Sequence, residues 1–418
     1  MNCRINLNQL RAGRFIFVLL TLLITVSSPI CIAWGSNEKP LVQLSGLITN
    51  GGYLVKSTKK TISYRKNDIF LPASTLKILT SLAAFDLLGP QFKFETHFFL
   101  DKEQNLYIKG YGDPFLTSEE ILRICSSLKK KGLNKIQTIF LDSSSFALQH
   151  QTPGNSNSSN PYDAHNGALA VNFNTLAINK LSDGTIQSAE SQTPTLPIMK
   201  QLGNHLPSGS QRININMATV HNNMSISLQY VGELFCAQLQ QTGITVMNGF
   251  KAKHVPLSLQ SFLIHKNSKT LKEVIRECLH YSNNFIANQV FLYCGLQKYG
   301  SPATWDSARK FMENYLKNSL QLSSEQVSAQ DGSGLSRQNR ISAEALVTIL
   351  EKFRPYSSLL NQQFGTLIKS GTLQGVYCYG GYFTEDESLI PFAVLLNQNN
   401  NTRDVLLNRL RGVYTSPQ

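Results

Sequence analysis

The sequence predicts an α/β protein in which an antiparallel sheet and a helical cluster are interrupted by an inserted β-rich domain. Three observations predict it. Strand-like runs stand at both ends of the chain with helical patterns between them, so the two ends can share one sheet. From about Thr96 to Leu263 the character changes to short strand-like runs alternating with loops. Finally, 208 positions, about a domain's worth of chain, separate Ser74 from Ser282, two residues of short polar motifs that bracket this stretch. The expected divisions are 1–33 as a leader, 34–95 and 264–418 as the two parts of the main domain, and 96–263 as the insert.

The leader reads as a secretory signal. Arg4, Arg11 and Arg14 precede an apolar run from Phe15 to Val26, and Cys31-Ile32-Ala33 places small residues where a signal peptidase cuts, after Ala33. The run spans 12 residues, shorter than the roughly 20 that cross a bilayer, which disfavours a retained anchor. Leu47-Ile48, the turn Asn50-Gly51-Gly52 and Tyr53-Leu54-Val55 read as a hairpin, followed by a strand at Thr61–Tyr64. Pro72 opens a helix with Leu76, Leu79, Leu82, Ala83 and Leu87 at helical spacing, stopped by Gly89-Pro90.

Within the insert, Asn105–Ile108, Ile136–Leu141 and Met224–Leu228 read as strands, Gln151–Pro161 as an exposed loop, and Glu233–Gln241 as a short helix. Helices return with the capping box Thr270-Leu271-Lys272-Glu273. A second helix starts near Asn284, leaving Ser282 in a tight link. A third follows Ser301-Pro302, and a fourth is capped by Ser342. Thr366–Lys369 and Leu389–Leu396 read as neighbouring strands, and a Leu/Arg-rich helix from Asp404 to Val413 closes the chain.

Ser74-Thr75-Leu76-Lys77, Ser282-Asn283-Asn284 and Lys369-Ser370-Gly371 carry the chemistry. Residues three apart on a helix share a face, so Ser74 presents its hydroxyl beside the Lys77 amine. Serine is a weak nucleophile until a base takes its proton, and lysine is such a base only if burial or a neighbouring cation lowers its pKa. Ser282 can pass a proton between Lys77 and a leaving amine, and Asn284 can hold a substrate amide. Lys369, Ser370 and Thr372 offer a cation and two hydroxyls to a carboxylate. Gly371 permits close backbone approach, and the N–H of Thr372 can serve an oxyanion hole. Each motif alone is common: Ser74 would read as a helix-capping serine, Ser282-Asn283-Asn284 as an asparagine-rich cap and Lys369 as an edge-strand lysine. Their conjunction, in this order, describes a serine acyl-transferase without a catalytic histidine.

The trio resembles the S-x-x-K, S-D-N and K-T-G set of class A β-lactamases and penicillin-binding proteins. With Pro72–Lys77, Gly110-Tyr111-Gly112-Asp113-Pro114, Ile139–Ser144, Asp331–Arg337 and Lys369–Tyr377, the chain resembles the class C low-molecular-mass penicillin-binding proteins. These are the D-alanyl-D-alanine carboxypeptidase/endopeptidase family of bacterial cell walls. The resemblance implies a β-lactamase-like catalytic domain carrying an insertion, a serine D,D-peptidase acting on peptidoglycan stem peptides, inhibition by β-lactams, and no metal or cofactor. Ser370 stands where threonine is usual, a change that keeps the hydroxyl. The insertion is shorter than in the larger members.

The formal charge of +13 falls to +10 without the leader. A basic exported chain suits an anionic wall polymer or a membrane surface, and a solvated basic surface fits equally. Export and the lack of a Lys/Arg-aromatic stripe argue against nucleic acid. The five cysteines after the leader, Cys125, Cys236, Cys278, Cys294 and Cys378, are widely spaced and indicate neither a disulfide framework nor a zinc site. Two alternatives stay open: a secreted β-lactamase or esterase on the same scaffold, and a non-catalytic wall-binding protein.

Overall fold

A computed structural model describes residues 44–415, apart from 45, 59, 149–151, 217–223, 364 and 386–387; the expected leader lies outside the described residues. No helix among them is long and apolar enough to cross a membrane.

The chain enters with β1 (Gly51–Lys56) and β2 (Thr61–Tyr64), then α1 (Lys77–Leu88). The insert-side elements are β3 (Glu95–Leu100), β4 (Leu106–Gly110), α2 (Ser118–Lys130), β5 (Ile139–Asp142), α3 (Ile226–Gln241), β6 (Phe250–Ala252) and β7 (Ser261–Lys266). Four helices follow: α4 (Leu271–His280), α5 (Asn284–Tyr299), α6 (Trp305–Ser319) and α7 (Ala343–Phe353). The chain ends in β8 (Asn361–Gln363), β9 (Thr366–Leu373), β10 (Val376–Glu385), β11 (Ser388–Leu396) and α8 (Arg403–Thr415).

Both ends of the chain do share one antiparallel sheet, in the order β8-β9-β10-β11-β1-β2. The near-continuous apolar run of β11 follows from its place between two layers. Ala393 and Leu395 face the core formed with α1, α5 and α7, whereas Phe392, Val394 and Leu396 face Leu406, Leu407 and Leu410 of α8. The capping box opens α4 as expected, with Glu273 accepting from Thr270 N at 2.7 Å. Helix α1 is buried from Lys77 to Phe85 and stops at Gly89, whose φ of 81° favours glycine.

A five-stranded sheet, β6-β5-β4-β3-β7, has its own core against α2 and α3, built from Phe98, Ile108, Ile124, Leu141, Leu234 and Phe235 among others. Glu95 of β3 pairs with Lys266 of β7, so these strands run one residue before and three past the expected limits of 96 and 263.

Four local expectations are corrected. Leu47-Ile48 does not pair with Tyr53–Val55; Gly51 and Gly52 lie inside β1, which pairs with β11 and β2. The glycines are required by packing, since a Cβ on Gly51 would lie 2.6 Å from Leu395 O. Met224–Leu228 is not a strand: Ser225 caps α3, and Leu228, Val231, Leu234, Phe235 and Leu239 bury at helical spacing, a period that five residues cannot distinguish from alternation. Ile136–Leu141 breaks into Lys135–Ile136 and Ile139–Asp142. Finally, β10 lies between β9 and β11. Gly380 and Gly381 hide β10 from a pattern search, but Gly381 sits where a Cβ would lie 2.1 Å from Leu367 O.

Candidate active site

Ser74 begins the path into α1, in a short 3-10 turn over Ala73–Leu76. Ala73 holds a left-handed φ of 46°, a conformation that costs a non-glycine residue free energy and concentrates at functional sites. Two glycines press neighbouring backbone onto this turn. At Gly334 (φ 85°) a Cβ would lie 1.9 Å from Ala73 O; at Gly371 it would lie 2.8 Å from Pro72 O and 2.9 Å from Ser74 N. Strand β9 and the loop at 331–336 can therefore touch the backbone around Ser74 only because both positions lack a side chain.

Lys77, one turn along, is fully buried. Its Nζ donates to Ser74 Oγ at 2.9 Å, Asn284 Oδ1 at 2.7 Å and Ser333 O at 2.7 Å. These three acceptors use all three hydrogens of an ammonium; the neutral amine would have a lone pair for the serine proton. Burial lowers the Lys77 pKa to about 8, while Cys278 and Asp331 oppose the fall.

Asn283, not Asn284, caps α5: its Oδ1 accepts from Ile286 N at 3.0 Å. This leaves Asn284 free to face the site, where its Nδ2 donates to Tyr162 O of the insert at 3.1 Å. A substrate amide can reach that donor only by displacing Tyr162 O. Ser282, in the link between α4 and α5, is left-handed at φ 55°. Its Oγ accepts from Lys369 Nζ at 2.9 Å, and the same Nζ donates to Ser370 O at 2.8 Å. Lys369 is 2% exposed; burial first and the Lys77 charge second push its pKa down to about 7. Ser370 and Thr372 are exposed on β9, beyond the part of that strand which β8 pairs, Thr366–Ile368.

The three motifs thus meet in one place. Motif reasoning did not find the groups that hold them there. Asp331, fully buried, accepts from Gly334 N at 2.9 Å, Leu335 N and Ser336 N at 3.1 Å each, Ser333 Oγ at 3.1 Å and Asn339 Nδ2 at 2.9 Å. It folds the loop that aims Ser333 O at Lys77. Beside Ser282 and Asn284 a cleft of about 650 Å³ opens toward the insert, lined by Phe115, Tyr162, Phe173 and Tyr281. The described cysteines are all unpaired, and no metal-binding cluster occurs among the described residues.

Residues 45–365 match the model of the D-Ala-D-Ala carboxypeptidase 3 (S13) family. A D-alanyl-D-alanine carboxypeptidase of an Actinomadura species is 24% identical over 395 residues, covering 78% of this chain and 73% of the relative. Penicillin-binding protein 4 of Haemophilus influenzae superposes with a TM-score of 0.69 at 20% identity, covering 90% of this chain and 98% of that one. A predatory endopeptidase of Bdellovibrio bacteriovorus, in complex with an immunity protein, gives a TM-score of 0.51 at 14% identity, covering 87% and 92%.

Proposed function

The chain belongs to the D-Ala-D-Ala carboxypeptidase 3 (S13) family, and on that premise we propose how its residues divide the work of a serine D,D-peptidase. The substrate is a peptidoglycan stem peptide ending in D-Ala-D-Ala. Neutral Lys77 takes the Ser74 proton as Oγ attacks the scissile carbonyl carbon. The backbone N–H groups of Ser74 and Thr372 receive the oxyanion, a preorganised arrangement that needs no rearrangement during reaction. As the C–N bond breaks, Ser282 passes the proton held by Lys77 on to the departing D-alanine nitrogen, which leaves an ester on Ser74 that water then hydrolyses. Asn284 holds the substrate amide, Gly371 admits its backbone, and Lys369, Ser370 and Thr372 hold its terminal carboxylate.

The observation that carries this reading is the set of contacts around Lys77: a fully buried amine, its pKa lowered to about 8, touching Ser74 Oγ and Asn284 Oδ1. A helix-capping serine would have no use for a buried amine. The same acyl transfer on a β-lactam gives a stable ester, so β-lactams are expected to inhibit. The cleft toward the insert supports action on D-Ala cross-links as well as free peptide ends. We place the enzyme outside the cytoplasm on the composition of residues 1–33 and assign 96–263 as an accessory insert. Anionic wall polymer or membrane surface is the counterpart we propose for its basic charge.

Incubating wild type and Ser74→Ala with a fluorescent penicillin and with a D-Ala-D-Ala peptide tests the reading. A long-lived adduct and D-alanine release, both abolished by Ser74→Ala, are expected. Rapid turnover of the penicillin would indicate a β-lactamase, and the absence of any adduct a binding protein.

A further inference from the structure

Arg403, the first residue of α8, belongs to none of the motifs, yet it reaches the back of β9. One of its terminal nitrogens, Nη1, donates to Gly371 O at 3.1 Å, to Thr372 Oγ1 at 3.0 Å and more loosely to Cys378 O at 3.4 Å. The guanidinium carbon lies 4.1 Å from the centroid of the Tyr379 ring, stacked as a cation over an aromatic face. Tyr379 is held in turn, its hydroxyl donating to Asp404 Oδ1 at 2.7 Å. The Arg403 side chain is only 12% exposed, and its Nε is buried without a hydrogen-bond partner, with Asp404 Oδ1 at 3.7 Å. A cation is thus clamped beside Thr372 of the proposed carboxylate pocket and its neighbour Gly371.

The direction of one hydrogen bond gives this a consequence. A guanidinium only donates, so in this contact Thr372 Oγ1 can only accept. The hydroxyl's own hydrogen is therefore free to donate elsewhere, and Thr372 stands on the exposed face of β9 with Ser370, where β8 no longer pairs the strand. Without Arg403 the hydroxyl could turn its hydrogen toward Gly371 O or Cys378 O, both of which would lose the arginine's donation.

We propose that Arg403 is a positioning residue for substrate specificity: it fixes Thr372 as a hydrogen-bond donor toward the terminal carboxylate of the substrate and holds the Gly371 carbonyl in place behind it. The proposal rests on the carboxylate reading of Lys369, Ser370 and Thr372 given above. It assigns Arg403 chiefly to selection of free-acid substrates; its bond to Gly371 O, which shares a peptide group with the Thr372 N–H, has a smaller effect on attack by Ser74 that is common to every substrate. A purely structural staple between α8 and the sheet would weaken the fold and slow every substrate alike. A positioning residue acting through the Thr372 hydroxyl slows most the substrates that present a carboxylate.

The test measures kcat/KM on a free-acid D-Ala-D-Ala peptide and on its C-terminal amide, for wild type, Arg403→Gln, Arg403→Lys, Thr372→Val and the Arg403→Gln/Thr372→Val double variant. Arg403→Gln is expected to lose about tenfold on the free acid, mainly through KM, and less than twofold on the amide. Thr372→Val should lose at least as much on the free acid, and on that substrate the double variant should be no worse than Thr372→Val. Arg403→Lys retains a cation but is shorter and loses the planar group stacked on Tyr379, so it should lose about threefold on the free acid and less on the amide. If Arg403→Gln does not fold, Arg403→Lys decides: an unchanged preference for the free acid overturns the proposal. Equal losses on both substrates, or a further tenfold loss in the double variant, also overturn it. A wild type with no preference for the free acid would refute the carboxylate reading itself, and this inference with it. A wild type that keeps its preference, beside an Arg403→Gln that also keeps it, refutes only the role of Arg403.

Discussion

Replacing Lys77 by methionine should leave a protein without acylating activity that is at least as stable as the wild type at neutral pH. The reason lies in what burial does to the ammonium. A fall in pKa from 10.5 to about 8 corresponds to about 3 kcal/mol at ~1.4 kcal/mol per decade, and it opposes folding while the lysine is charged. The folded pKa is the lower one, so the unfolded chain binds more protons. The penalty is full below about pH 8 and disappears as pH rises toward 10.5. Methionine removes it, and removing the charge also relieves Lys369. Against this, Ser74 Oγ, Asn284 Oδ1 and Ser333 O lose a donor, at about 1 kcal/mol each or less where water enters. The gain at pH 7 should therefore be between about 0 and 3 kcal/mol. The same burial makes roughly a tenth of Lys77 neutral at pH 7, against a few parts in ten thousand for an ordinary lysine, so acylation should fall at least ~10²-fold with the base gone. Urea unfolding of both proteins from pH 6 to 10, with penicillin acylation rates alongside, measures this. A variant less stable by more than about 1 kcal/mol at pH 7, a stability gap that does not narrow above pH 8, or undiminished acylation would refute the reasoning.

The two lysines should also give the pH–rate profile its shape. Neutral Lys77 accumulates as pH rises through about 8, while the Lys369 cation is lost as pH rises through about 7. kcat/KM on a free-acid peptide should therefore be bell-shaped and peak between pH 7 and 8, with values belonging to the coupled pair. On the C-terminal amide the falling limb should weaken. Lys369→Met should cost roughly 10- to 150-fold on the free acid, the range of a charge-assisted contact, and less on the amide, as paired kinetic assays would show. Gly334→Ala puts a Cβ against Ala73 O, so it should displace the nucleophile turn and reduce penicillin labelling by more than tenfold. Asp331→Asn turns one of the acceptors facing five donors into a donor. It should lower stability by about 2–4 kcal/mol in denaturant melts and slow acylation, because Ser333 O loses its support.

The chemistry was legible in the chain because it is written in residue types at short spacing. A helix puts Ser74 and Lys77 on one face wherever it is found, the capping box at Thr270 closes on itself, and a link as tight as Tyr281-Ser282-Asn283 leaves Ser282 few places to point. The shared sheet was legible for a similar reason, since strands at both ends with helices between them have one economical way to pair. Where local signals were ambiguous the tertiary structure decided. Gly51, Gly52, Gly380 and Gly381 look like turn residues, yet they sit in strands because neighbouring backbone fills the space of a side chain. Residues 226–228 follow the helix that the core beneath them requires. The supports of the site were beyond any motif. Asp331, Ser333, Tyr162 and Arg403 act through carbonyls, backbone N–H groups and a fixed hydroxyl, 88 to 259 positions away from Ser74 in three cases and 329 in the fourth. The folded chain alone brings them into contact, and burial, which the sequence does not state residue by residue, is what lowers the Lys77 pKa to about 8 and suits it to the proposed role of base.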